Sequence, residues 1–166
     1  MNKIIILIVV LIIGVGVGVF IFKVAPSTRI EPNTSINLNE VYTLNLSSQN
    51  LTKIPDYVFN TLNLTELDVS NNKLEGAIQS QIGNLTKLKI LRANNNLMTG
   101  VPAEIGRLTS LETLDLSNNQ LTGLPNELAN LKNLKTLNLS GNQNYSRQDL
   151  TKIKESFSSS TIVNAE

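Results

Sequence analysis

The 166-residue chain contains no cysteine and no histidine. Without cysteine there is no disulfide framework, no thiolate metal site and no cysteine nucleophile. Without histidine the commonest metal ligand, the usual general base and every Ser-His pairing are missing. Tryptophan is absent and aromatics make up only 4% of residues, too few for a platform that stacks bases or sugars. Basic and acidic residues nearly balance, 14 against 13, so no broad positive field exists to hold nucleic acid. Neither a Gly-Lys-Ser/Thr phosphate loop nor a glycine-rich dinucleotide turn occurs. These absences point away from an enzyme, and no cofactor or metal is expected. One residue type is over-supplied instead: asparagine, with 23 copies.

The N-terminus is the one long hydrophobic run. Lys3 and Lys23 bracket nineteen uncharged residues, Ile4–Phe22. As a helix they would extend about 28 Å, close to the hydrocarbon thickness of a bilayer. Residues 1–24 therefore read as one N-terminal transmembrane helix. The alternative is a secretory signal cut after Gly18, with Gly16 at the −3 position. Gly14 and Gly18 have the GxxxG spacing of a helix-dimer seam, though glycine is common in membrane helices generally. The basic count on the two sides, Lys3 against Lys23 and Arg29, hardly decides orientation. The short tail before the segment places the C-terminal bulk outside the cytoplasm. Residues 25–40 carry Pro26, Pro32 and many small polar residues, and read as a linker and N-terminal cap.

From Val41 onward the chain repeats itself. Five copies start at Val41, Leu64, Leu88, Leu111 and Leu134. In the first four, apolar residues recur at repeat positions 1, 4, 6, 11 and 14; the fourth shows Leu111, Leu114, Leu116, Leu121 and Leu124. Positions 3 to 5 are too short for a helix and alternate in polarity, so a short strand is expected. Position 9 is Gln49, Asn72, Asn96, Asn119 and Asn142. An amide there can bond backbone groups that the following turn leaves unpaired. Pro102 and Pro125 each open a segment with an i, i+3 apolar pair, the pattern of a helical turn. A single copy cannot bury its leucines, but stacked copies bury them between neighbours. After the fifth copy, Ser146-Arg147-Gln148-Asp149 has a capping-box spacing. Residues 146–166 read as a cap: a helix with Leu150, Ile153 and Phe157 on one face, then a strand at Thr161-Ile162-Val163.

The pattern L-x-x-L-x-L-x-x-N-x-L, in phase over residues 41–145, resembles the leucine-rich repeat family. Most copies resemble the 23-residue bacterial and intracellular type, and the second, Leu74-Glu75-Gly76-Ala77-Ile78, the 24-residue plant type. The resemblance implies an α/β solenoid, a right-handed superhelix with short parallel strands on the concave face and helical turns on the convex face. It also implies a non-catalytic module that binds a protein or a cell-surface polymer on the concave face. Gln49 and Gln79 depart from the family's asparagine and proline.

On that face position 2 runs Tyr42, Thr65, Lys89, Glu112, Lys135, and position 5 runs Asn45, Asp68, Arg92, Asp115, Asn138. Charges alternate along both columns, which suits either a docking face centred on Arg92 or simple pairing between neighbouring copies. Tyr42, Asp68, Lys89, Ile90, Arg92, Glu112 and Asp115 are the candidate partner-binding residues. Three roles remain open: a membrane-tethered binding module, a self-assembling envelope component, and a scaffold facing the cytosol. Seven Asn-x-Ser/Thr sequons, at Asn33, Asn45, Asn50, Asn63, Asn84, Asn138 and Asn144, mostly fall where the repeat itself favours those residues.

Overall fold

The computed structural model describes the backbone of residues 6–12 and 17–23 and all of residues 42–166. The expected linker over 25–40 and the first repeat residue, Val41, lie outside the described residues.

Six short strands form a parallel ladder: β3 (Thr43–Asn45), β4 (Glu66–Asp68), β6 (Ile90–Arg92), β8 (Thr113–Asp115), β9 (Thr136–Asn138) and β10 (Ile162–Asn164). Their middle residues share one row, Leu44, Leu67, Leu91, Leu114, Leu137 and Val163. The five leucines are essentially fully buried. Side chains alternate across a strand, so the flanking residues turn to the other face and are half-buried in β3, β4, β6, β8 and β9. Each buried leucine contributes roughly 1.5–3 kcal/mol through removal from water, and only stacked coils achieve that burial.

Opposite the ladder lie four 3-10 turns, Asp56–Asn60, Ser80–Asn84, Ala103–Arg107 and Asn126–Asn130. Each follows an extended residue: Pro55, Gln79, Pro102 or Pro125. Gln79 replaces proline without loss, because its side-chain amide donates to the carbonyl of Ile54 at 2.6 Å. The middle turns stack closely. A Cβ on Gly106 would lie 2.6 Å from the carbonyl oxygen of Glu127, so only glycine fits there. Two further strands, β5 (Glu75–Ala77) and β7 (Leu97–Gly100), pair in parallel as a small second sheet.

The position-9 asparagines form the spine of the core. Asn96 accepts from the N–H of Leu74 and donates to the carbonyls of Val69 and Ala93. Asn119 accepts from Met98 and donates to Ala93 and Leu116. Asn72 and Asn142 repeat the arrangement on the coils before them. No buried side-chain polar atom among the described residues lacks a partner. The last coil is followed by α1 (Arg147–Lys154), whose N–H at Asp149 donates to Ser146 Oγ. Leu150 and Ile153 of α1 are buried.

At the other end the structure departs from the sequence expectation of one helix over Ile4–Phe22. The segment holds two strands, β1 (Ile6–Ile12) and β2 (Val17–Lys23), paired antiparallel. β2 also pairs antiparallel with β3, through Ile21 opposite Asn45 and Phe22 opposite Leu44. The physical reason is composition. Isoleucine and valine dominate both strands and favour extended backbone, and glycine at 14, 16 and 18 weakens a helix. Among the described residues no helix is long and apolar enough to cross a membrane.

Candidate interaction surface

The exposed columns of the parallel ladder bring the candidate residues onto one surface. The position-2 column pairs as its alternating signs suggest. Glu112 Oε2 accepts from Lys135 Nζ at 2.5 Å, and its Oε1 lies 3.8 Å from Lys89 Nζ. The hydrogen bond and charge of Lys135, and then the charge of Lys89, hold the Glu112 carboxyl below its usual range. Tyr42 begins the column and is 42% exposed.

The position-5 column does not pair along its length. Asp68 Oδ1 accepts from both the N–H and the Oγ of Ser70. Asp115 does the same with Ser117, and Asn45 and Asn138 with Ser47 and Ser140. This local cap occupies four of the five coils. The third coil breaks it, with Arg92 in place of the acceptor and Asn94 in place of the serine. The Arg92 guanidinium instead reaches diagonally to Glu66 Oε1 on the preceding strand, at 2.5 Å. Ile90, beside it, is half-buried.

Thus the structure brings Lys89, Glu112 and Lys135 together, and Arg92 with Glu66, but leaves Asp68 and Asp115 to their serines. Glu66 was not among the residues marked in the sequence. A signal for the caps was present, an Asn/Asp-x-Ser spacing in every coil but the third. Three exposed apolar side chains also lie outside the candidate set: Leu62, 52% exposed, Leu97 on β7, 41% exposed, and Ile162 on β10, 60% exposed. Among the described residues no group of acidic side chains could hold a metal ion.

A stack of coils with one parallel strand per coil, an asparagine spine and a 3-10 turn opposite the strand defines a repeat solenoid. Residues 32–160 match the family model for the leucine-rich repeat region, and the chain belongs to the leucine-rich repeat family. Comparison with curated proteins gives no match. Among solved structures, a leucine-rich repeat protein of Leptospira interrogans is 29% identical, with a TM-score of 0.62 over 76% of this chain and 38% of that one. The plant peptide hormone receptor RGFR1, in complex with RGF2, is 34% identical with a TM-score of 0.64, covering 76% of this chain and 20% of the receptor chain. An internalin of Listeria monocytogenes is 25% identical with a TM-score of 0.63, over 76% of this chain and 35% of the internalin. The chain thus spans well under half the length of each of these relatives.

Proposed function

We propose that the protein is a non-catalytic binding module, held at a membrane by Ile4–Phe22 and presenting its concave face outside the cytoplasm to a protein or a cell-surface polymer. The observation that carries the docking site is the third coil. Four coils keep the Asx–Ser cap, and the one at the centre gives it up for Arg92. Local stabilisers are surrendered most readily where a surface has other work. Ile90 lies beside Arg92, Lys89 and Glu112 flank them, Asp68 and Asp115 stand on the adjacent strands, and Tyr42 adds an aromatic at the end of the face. Aromatic and arginine side chains are the usual anchors of protein interfaces. Support comes also from the likeness to a receptor structure that holds a peptide hormone.

The tether rests on the same residues that form β1 and β2. In hydrocarbon, a two-stranded hairpin leaves a row of backbone N–H and C=O groups without partners. A helix closes those bonds within the segment, so the bilayer favours the helix that water does not. A tag after Glu166 tests orientation: protease applied to intact cells removes it if the solenoid faces outward and spares it if the solenoid faces the cytosol. Charge reversal at Arg92 with Ile90→Ala is expected to weaken capture of native surface partners at least tenfold. Unchanged capture by the doubly substituted chain refutes the concave-face assignment.

A further inference from the structure

The C-terminal end of the ladder carries an open edge that the concave reading does not use. In a parallel strand alternate residues bond to the same neighbour. Ile162 donates to the carbonyl of Lys135, and the carbonyl of Asn164 accepts from Leu139. Val163, between them, therefore turns its N–H and C=O to the side away from β9. On each side of it one outward group is already bonded. The N–H of Thr161 is bonded to Ser158, and the carbonyl of Ala165 is taken by Arg147 Nη1 at 2.7 Å. Val163 alone keeps both its outward donor and its outward acceptor, beside a groove of about 430 Å³ between α1 and β10, floored by Leu150 and Val163. Ile162 stands exposed next to it.

The charges around the groove are of both signs. Arg147 and Lys154 line it together with Glu166, and Glu155 follows Lys154 at the end of α1. None of these four is in an ion pair within the described residues. A polycation or polyanion would meet as much repulsion as attraction there, whereas a surface with equal numbers of each sign can complement itself.

We infer that this edge joins a second copy of the chain, antiparallel, about a twofold axis through Val163. In an antiparallel hydrogen-bonded pair, two opposed residues exchange both of their N–H···O bonds. A twofold axis places Val163 opposite Val163, so the outward donor and acceptor of Val163 in each copy are satisfied together. Such an isologous contact closes after two copies. It lays the partner's cap over the groove and leaves both concave faces open. The two ladders become one continuous sheet.

The test uses the full chain in detergent micelles or vesicles. The protein has no cysteine of its own, so Val163→Cys reports the contact directly. Opposed residues in such a pair lie about 5.5 Å apart at Cα, within disulfide reach. Mild oxidation is expected to convert most of the V163C chain to a covalent dimer. Leu62→Cys, more exposed and remote from this edge, is expected to stay monomeric. Val163→Pro removes the outward N–H without touching a bond to β9, and Ile162→Lys places a charge on the edge. Each is expected to lower the dimer fraction severalfold in analytical ultracentrifugation with the far-ultraviolet spectrum unchanged. Association driven only by Ile4–Phe22 would cross-link L62C as readily as V163C and would ignore V163P, and either result overturns the inference. So does a chain that remains monomeric at all concentrations.

Discussion

The third coil and its two neighbours share one backbone yet hold their exposed residues by different means. In the second and fourth coils, Asp68 and Asp115 bond to serines two residues on. Those bonds are local and stabilise each coil by itself. In the third, Arg92 finds its acceptor on another strand. Inside, the three coils share their strand leucine and their asparagine: Leu67, Leu91 and Leu114 are equally buried, and Asn72, Asn96 and Asn119 repeat one bonding scheme. The interior is set by the needs of stacking, which are the same for every coil. The outward face is free to vary, and it varies most at one place.

The comparison can be broken from the inside. Asn96→Ala leaves the N–H of Leu74 and the carbonyls of Val69 and Ala93 short of a partner. The expected cost is about 3 kcal/mol, from unsatisfied buried groups, read as a lowered midpoint in chemical denaturation. The equivalent change at Asn119 should cost about as much, since the spine does not distinguish the coils.

On the outside the coils should respond differently. Asp115→Ala removes two hydrogen bonds to Ser117, for an expected loss of about 1 kcal/mol. The double change Arg92→Asp with Asn94→Ser installs the missing cap in the third coil. It should gain up to about 1 kcal/mol while abolishing partner capture. A double variant that is less stable than the parent would show that Arg92 serves the fold rather than a ligand.

The smallest effect is electrostatic. The Glu112 carboxyl is depressed by Lys135 and Lys89, so its contribution is present above the ordinary value of 4.5 and is lost as pH falls through the depressed one. The pair is exposed, and exposed pairs contribute little. Lys135→Met should flatten the acid limb of a stability–pH profile slightly and leave neutral pH almost unchanged. Added salt should imitate it.

Much of this architecture was legible in the sequence because stacking is repetitive. Leu114 and Leu116 mark a strand by alternation, and their recurrence in phase marks the solenoid. Asn119 was legible because an amide in an apolar interior needs several backbone partners. The Arg92–Glu66 pair was not. It runs diagonally, from position 5 of one coil to position 3 of the last, and columns of like positions hide a diagonal. The role of Asp68 was obscured in the same way, because a carboxylate opposite an arginine suggests an ion pair more strongly than a cap to Ser70. The N-terminal segment was the hardest. A continuous apolar run has no polar residues to set a period of two or of 3.6, so Ile6–Ile12 reads equally as helix or strand.

The asparagine spine gives the array a direction. Asn72, Asn96, Asn119 and Asn142 each bind backbone of the coil before their own. During synthesis a coil leaves the ribosome before the residue that will satisfy it exists. Each turn of the solenoid therefore waits, incompletely bonded, for its successor. Loss of residues from the C-terminal side strands a finished coil, while loss from the N-terminal side merely returns an amide to water.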